Sequence, residues 1–406
     1  MMTLLLIHLI LCQSVLCKAG ENAPAPHVLL AEHKKKVIDN IFPIMQGDQY
    51  RFMDYNGKPV NEHNYAQCVR YDYDFEVFTL ARRDDHWYSI NAKGHEKPMN
   101  FPAGYEPVFR RLESALPPKL FVLHDMSPDN HSVLKERLFD TARSEFVTPH
   151  VGTCTYCDDC WIGMVLRNPS NVADGTRAII FRRNKDGAVE QTVTEFERAY
   201  VRNNCILAHS IDGPSPNPPD IYGKKMNLIA KSTEAYFIAK PDSPDRILVW
   251  FRINDADWFA RNSMGIIDSK GNKLCGGYDL VSNYSNDMAR VAIIGDEMAC
   301  HYGYVNRNGE QVIPCHYPSA SLFTCEIAYV YDPQKKKACV INKEGRSIAE
   351  IGPYRDVSGF GRGAILDRSD EGVFTLVNTE GKILWQSKTK SEGEKLQGSY
   401  MYYDSN

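Results

Sequence analysis

Three cysteines stand three residues apart in Cys154-Thr155-Tyr156-Cys157-Asp158-Asp159-Cys160. Thiolates at this spacing can converge on one metal ion. They can also act as a redox pair, or form structural disulfides in an exported chain. A ferredoxin-type run needs a fourth cysteine where Met164 stands. A zinc site needs one further ligand, with His150 or Cys205 as candidates. Nothing nearby reads as a thioredoxin-like βαβ unit. The leading expectation is therefore one disulfide among Cys154, Cys157 and Cys160, and a second from the remaining cysteine to Cys205. Zinc is the alternative, and no other cofactor is expected.

No HExxH, GxSxG, Walker or GxGxxG pattern occurs, and no residue is assigned a catalytic role. Asp72, Asp74 and the run Asp84-Asp85-His86 lie beside expected turns and strand ends, where carboxylates are solvated.

The compartment bears on the cysteine chemistry. Residues Leu4 to Leu11 read LLLIHLIL, followed by Gln13, Ser14 and the small residues Val15, Cys17 and Ala19. This is the h-region of a signal peptide, too short for a membrane anchor, although no Lys or Arg precedes it. Residues 1–19 are expected to be removed and the protein to be secreted or periplasmic, with no transmembrane segment. Ten of the 12 cysteines would remain, an even number that suits pairing. Asn130 and Asn283 head glycosylation sequons.

The 406 residues are 43% hydrophobic and 24% charged, with a formal net charge of -4. Such a chain buries a large core. Its charge gives no reason to bind nucleic acid or an anionic membrane. The 22 Tyr and 17 Phe lean toward β structure.

The elements that must position any site come from a recurrent turn, Asp/Asn-x-x-Gly, preceded by apolar residues. It occurs at Asp54–Gly57, Asn91–Gly94, Asn184–Gly187, Asp268–Gly271, Asn306–Gly309, Asn342–Gly345 and Asn378–Gly381. Steps between the glycines are 37, 93, 84, 38, 36 and 36. The Asp or Asn side chain caps the turn, and Gly accepts the left-handed conformation that closes a hairpin. Short strands flank each turn, as in Tyr304-Val305 before Asn306 and Gln311-Val312-Ile313 after Gly309.

The best copy runs from Gly303 through Tyr304, Val305, Asn306 and Gly309 to Ile313-Pro314, followed by Tyr317, Phe323 and Ala328-Tyr329-Val330. It resembles the WG repeat, as does Gly265 to Gly271. The Trp before the first Gly is replaced here by Tyr302 and Met264. The match is good over 262–386, fair over 48–107 and poor over 108–261, where diverged units and insertions are expected. The resemblance implies an exported or interaction module without a known catalytic motif.

The remaining segments are a spacer and short helix over 20–47, with His27 to Phe42 helical, and a second short helix over Glu106 to Leu116. Asp212 to Gly223 reads as a Pro-rich flexible loop, and 387–406 as a poorly ordered polar tail. The expected fold is all-β: a β-propeller of seven to nine units, or else an open β-solenoid. The expected function is non-enzymatic binding or scaffolding of a protein or glycan on the repeat surface. The alternative is a secreted hydrolase acting on an extracellular polymer.

Overall fold

The computed structural model describes residues 26–400 except 38–39, 73–76, 92, 109–119, 128–133, 158–159, 169–174, 185–188, 195, 203–204, 211–218, 224, 234, 253–261, 296–297 and 360–362. The expected signal peptide lies outside these residues, as do most of the expected second helix and of the Pro-rich loop.

Eight small antiparallel sheets follow one another along the chain. They are β3–β6 (67–99), β7–β10 (105–146), β11–β14 (154–193), β15–β18 (196–230), β19–β22 (236–278), β23–β26 (280–317), β27–β29 (328–352) and β30–β33 (358–386). In blade 7 the segment 319–324 takes the place of a first strand, through bridges Ala320–Val330 and Thr324–Ile327. A hairpin of β1 (Ile41–Gln46) and β2 (Gln49–Asp54) precedes blade 1. The architecture is an eight-bladed β-propeller.

Period-two patterning accounts for the ring. In blade 3, Trp161 and Phe181 pack toward blade 2 against Leu120, Val122 and Leu138. Their neighbours Ile162 and Ile180 pack toward blade 4 against Ala199, Val201 and Ile206. A strand buried on both faces therefore alternates between two joints. Such clusters fill every joint from blade 1 to blade 8. Two more flank the hairpin: Phe42, Ile44 and Tyr55 meet Leu376 and Leu384 of blade 8, and Ile41 and Phe52 meet Cys68 and Ala81 of blade 1. The joints close on themselves, which excludes the open solenoid.

Among the described residues no sheet contains strands from both ends of the chain. The seam is closed by side chains. Trp385 Nε1 donates to the Met45 carbonyl at 2.9 Å, and Asn378 Nδ2 to the Tyr55 carbonyl at 3.1 Å. Tyr55 Oη lies 2.5 Å from Thr379 Oγ1.

Four local expectations are corrected. Helix α1 (Pro26–Val37) ends before Ile41 and Phe42, which start β1, where Ile41-Phe42-Pro43-Ile44 suits a strand better than a helix. Tyr105–Pro107 is strand β7, paired with β8 (Leu120–Asp125), not the start of a helix. Asp220–Tyr222 is strand β17 rather than part of a loop. The polar tail forms helix α2 (Lys390–Tyr400), which buries Leu396 in the seam core. Thr389 Oγ1 accepts the Glu392 N–H, and Glu392 Oε2 accepts the Lys388 N–H, so a capping-box arrangement starts this helix.

Candidate functional site

The turns at Asn91, Asp268, Asn306, Asn342 and Asn378 each lead into the outermost strand of their sheet, whereas the Asp54 turn leads into a single bridge between Met53 and Pro59. At the best copy, Gly309 N donates to Asn306 O at 2.9 Å, and Asn306 Oδ1 accepts the N–H groups of Asn308 and Glu310, both at 3.0 Å. Gly309 has φ +81°, as its turn chemistry requires. The turns at Asp54, Asn91, Asp268 and Asn378 repeat the side-chain cap. At Asn342 the cap is the Arg346 N–H on Oδ1. Gly187 lies outside the described residues, and Asn184 directly follows β13 (Thr176–Arg183).

Two diverged units fill the long gaps. In blade 4, Gly223 N donates to Asn227 O and Met226 N to Gly223 O, with Met226 at φ +62°. This is the same backbone turn without an Asx cap. In blade 2, Asp140 Oδ1 accepts from Ala142 N and Arg143 N, and Ser144 takes φ +54°.

Because successive strands reverse direction, the turns into the outer strands and the turns between first and second strands gather at one end of the ring. On blades 5 to 7 this end is charged. Arg307, in the outer turn of blade 6, places Nε 2.6 Å from Asp287 Oδ1, in the inner turn of the same blade. Lys343 of blade 7 reaches Glu326 Oε2 at 2.9 Å and Asp287 Oδ2 at 3.8 Å. Arg246 Nε of blade 5 donates to the Arg307 carbonyl at 2.9 Å. The Arg307 hydrogen bond holds the Asp287 carboxyl below its ordinary range. Beneath them, burial pushes the Asp242 carboxyl up to about 6 although it accepts the Tyr284 N–H at 2.6 Å.

Between blades 6 and 7 a depression of about 420 Å³ opens at this end. Asp287, Arg307, Lys343 and Glu344 line it together with Met288 and Val312. Val312 is exposed. The arrangement can hold a ligand that offers both charge and apolar contact.

The cysteine run is not drawn together here. Cys154 packs in the joint between blades 2 and 3, Cys160 between blades 3 and 4, and Cys205 between blades 4 and 5. Cys154 and Cys160 therefore face opposite sides of one sheet, and Cys205 faces the far side of the next. A bond to Cys205, or a zinc held by Cys154, Cys160 and Cys205 together, would have to pass through a sheet. Cys157 and Cys160 are register partners across β11 (Cys154–Cys157) and β12 (Cys160–Leu166). The thiols of Cys275, Cys300, Cys315 and Cys339 are free.

His150 serves elsewhere. Its Nε2 lies 3.0 Å from Tyr105 Oη and 3.2 Å from Asp125 Oδ2, at the opposite end of the ring. The Ser127 N–H, first among several bonds, lowers the Asp125 carboxyl. Among the described residues no group of three His, Cys, Asp or Glu side chains is placed to hold a metal ion. Of the sequons, Asn130 lies outside the described residues. Asn283 is half-buried on β23 (Leu280–Ser285), with its side-chain oxygen buried. Asp84 and Asp85 form the turn between β4 and β5, both at positive φ and exposed, as expected for solvated strand ends.

The charged end was not assigned a role from the sequence. Its signal lies in the two middle turn positions, which differ from copy to copy: Tyr55-Asn56, Ser269-Lys270, Arg307-Asn308, Lys343-Glu344, Thr379-Glu380.

Residues 302–331, which include the best turn copy, match the sequence model of the WG containing repeat. A search of curated proteins finds no match. Similar solved structures include the β-propeller domain of the Trilobed protease from Pyrococcus furiosus, at 10% identity and TM-score 0.36, covering 76% of this chain and 95% of that one. BamB from Moraxella catarrhalis is similar at 10% identity and TM-score 0.33, covering 70% and 90%. An oligogalacturonate lyase from Vibrio parahaemolyticus is similar at 11% identity and TM-score 0.36, covering 83% and 95%.

Proposed function

We propose, from a propeller carrying a WG containing repeat, that this chain is an exported, non-enzymatic binding module that holds a segment of a partner protein at the charged end of blades 5 to 7. One observation carries the reading. The depression between blades 6 and 7 combines ion-paired side chains with the exposed Val312, above the buried Met288, and both charge and apolar contact suit a polypeptide. The middle turn positions that line it differ between copies, which is where repeat proteins place specificity.

The test is capture from the host by the mature protein, compared with an Arg307→Glu, Lys343→Glu variant. Loss of a specific protein partner on the variant supports the reading. A partner retained in full by a folded variant overturns it, and a glycan lost in its place would replace protein with glycan. Export rests on the sequence alone. The native protein should start near Lys18 or Gly20, and an intact Met1 would remove that part.

The hydrolase reading keeps one supporting observation, the Tyr105–His150–Asp125 cluster. It predicts polymer hydrolysis that His150→Ala abolishes.

A further inference from the structure

The outer strand of blade 3, β14 (Val189–Val193), differs from the others. All five of its residues, VEQTV, are exposed. The remaining outer strands each tuck in at least one residue, as in β6 (Glu96–Met99), β22 (Lys273–Tyr278), β26 (Gln311–Tyr317) and β33 (Ile383–Gln386). Val193 is 46% exposed and Val189 37%, in a strand at the edge of its sheet. Exposed apolar edges are templates for a further strand.

The ladder phase decides which backbone groups are open. Thr194 N donates to Ala178 O at 3.2 Å, and the register pairs Thr192 with Ile180 and Glu190 with Arg182. In an antiparallel ladder, alternate residues exchange both bonds. Glu190 and Thr192 therefore turn their N–H and C=O inward to β13. Val189, Gln191 and Val193 turn theirs outward.

We propose that β14 pairs with β14 of a second copy of this chain, antiparallel about a two-fold axis at Gln191. The sequence is self-complementary in that register. Gln191 faces the partner's Gln191, and the two residues exchange their outward backbone bonds. Val189 faces the partner's Val193, in the same bonded phase. Glu190 faces the partner's Thr192, so no like charges meet. A register shifted by one residue would set inward-turned groups against outward-turned ones. Shifted by two, it would leave one valine of each strand without its partner. A five-residue strand pair falls short of the roughly 1,000 Å² of a firm interface, so the association is reversible and depends on concentration.

The experiment is sedimentation velocity of the full mature chain across a concentration series. Wild type should move from monomer to dimer as concentration rises. Gln191→Lys, which sets two positive charges at the axis, should weaken the dimer by about tenfold or more. Gln191→Glu should do the same with negative charge. An equimolar mixture of the two variants should restore dimerisation. Both changes sit on an exposed side chain, and an unchanged melting temperature confirms the fold; if one variant misfolds, the other still decides. A wild type that stays monomeric at every concentration, a Gln191→Lys chain that dimerises like wild type, or a mixture that stays monomeric overturns the proposal. Its failure leaves the charged end of blades 5 to 7 untouched, because β14 is on another blade.

Discussion

A Cβ added to Gly309 would stand 2.5 Å from the carbonyl oxygen of Leu274, on the outer strand of blade 5. The turn glycine of one blade is thus a contact surface for its neighbour, besides being a hinge. The same holds at Gly94 against Val60 O at 2.3 Å, and at Gly381 against Ile351 O at 2.8 Å. Gly271 is different: a Cβ there meets only Tyr236 Oη, at 3.2 Å. Its φ of +83° matches that of Gly309. Gly271→Ala should therefore cost the left-handed strain alone, about 1 kcal/mol. Gly309→Ala should cost about 3 kcal/mol or more, since backbone must move. Urea unfolding compares the two, and equal costs would mean that the joint yields freely.

Ser144 holds φ +54° in the diverged turn of blade 2, with its side chain in solvent. Ser144→Gly should stabilise the protein by about 0.5–1 kcal/mol by relieving that conformation. A thermal melt that falls would show that the serine makes a contact worth more than its strain.

His33 of α1 is buried, with Nδ1 3.2 Å from the Cys325 carbonyl and Nε2 without a partner among the described residues. Nδ1 therefore donates, and a proton on Nε2 would have no acceptor. Burial first, with Lys36 adding to it, lowers the imidazole to about 4 from 6.5. A base lowered on folding gives stability that is full above pH 6.5 and lost as pH falls toward 4, about 3 kcal/mol in all. Hydrogen exchange across 26–37 should accelerate over that window, and His33→Phe should flatten the dependence. An unchanged slope in the variant would assign the effect to another group.

Asp242 has the opposite sign. Its raised carboxyl makes the folded protein hold a proton that the unfolded chain releases, so this contribution falls as pH rises from about 4 to 6. Asp242→Asn keeps an acceptor for the Tyr284 N–H and removes the buried charge. It should gain about 1–3 kcal/mol at pH 8 and nothing at pH 4. Asp242→Ala should instead lose about 1–3 kcal/mol through the orphaned N–H. If Asn is no more stable than Asp at pH 8, the charge is compensated by Arg307.

Six turns, at Asp54, Asn91, Asp268, Asn306, Asn342 and Asn378, were legible because Asp or Asn and Gly mark them chemically. The Gly223–Met226 turn was not, since its backbone bonds form without an Asx cap and Met226 takes the position of the glycine. Helix α2 hid in polar composition, with Leu396 its fully buried apolar residue, although Thr389 and Glu392 carry a capping signal. The spacing of the cysteine run does not show which joint each thiol enters: Cys154 and Cys160 fall on β11 and β12 and pack on opposite sides of one sheet. The depression could not be read from one segment, because Asp287 and Lys343 come from different blades.

The seam bears on how such a ring changes size. Strand pairing across the junction would tie the first and last sheets into one ladder, and a gained or lost unit would have to recut that ladder. Here, among the described residues, side-chain bonds and packing hold the junction, those of Trp385 and Tyr55 among them. Tandem duplication of a whole unit would leave every sheet intact and ask only that each joint alter its angle slightly. A chain built this way can drift between blade numbers without passing through a misfolded ancestor.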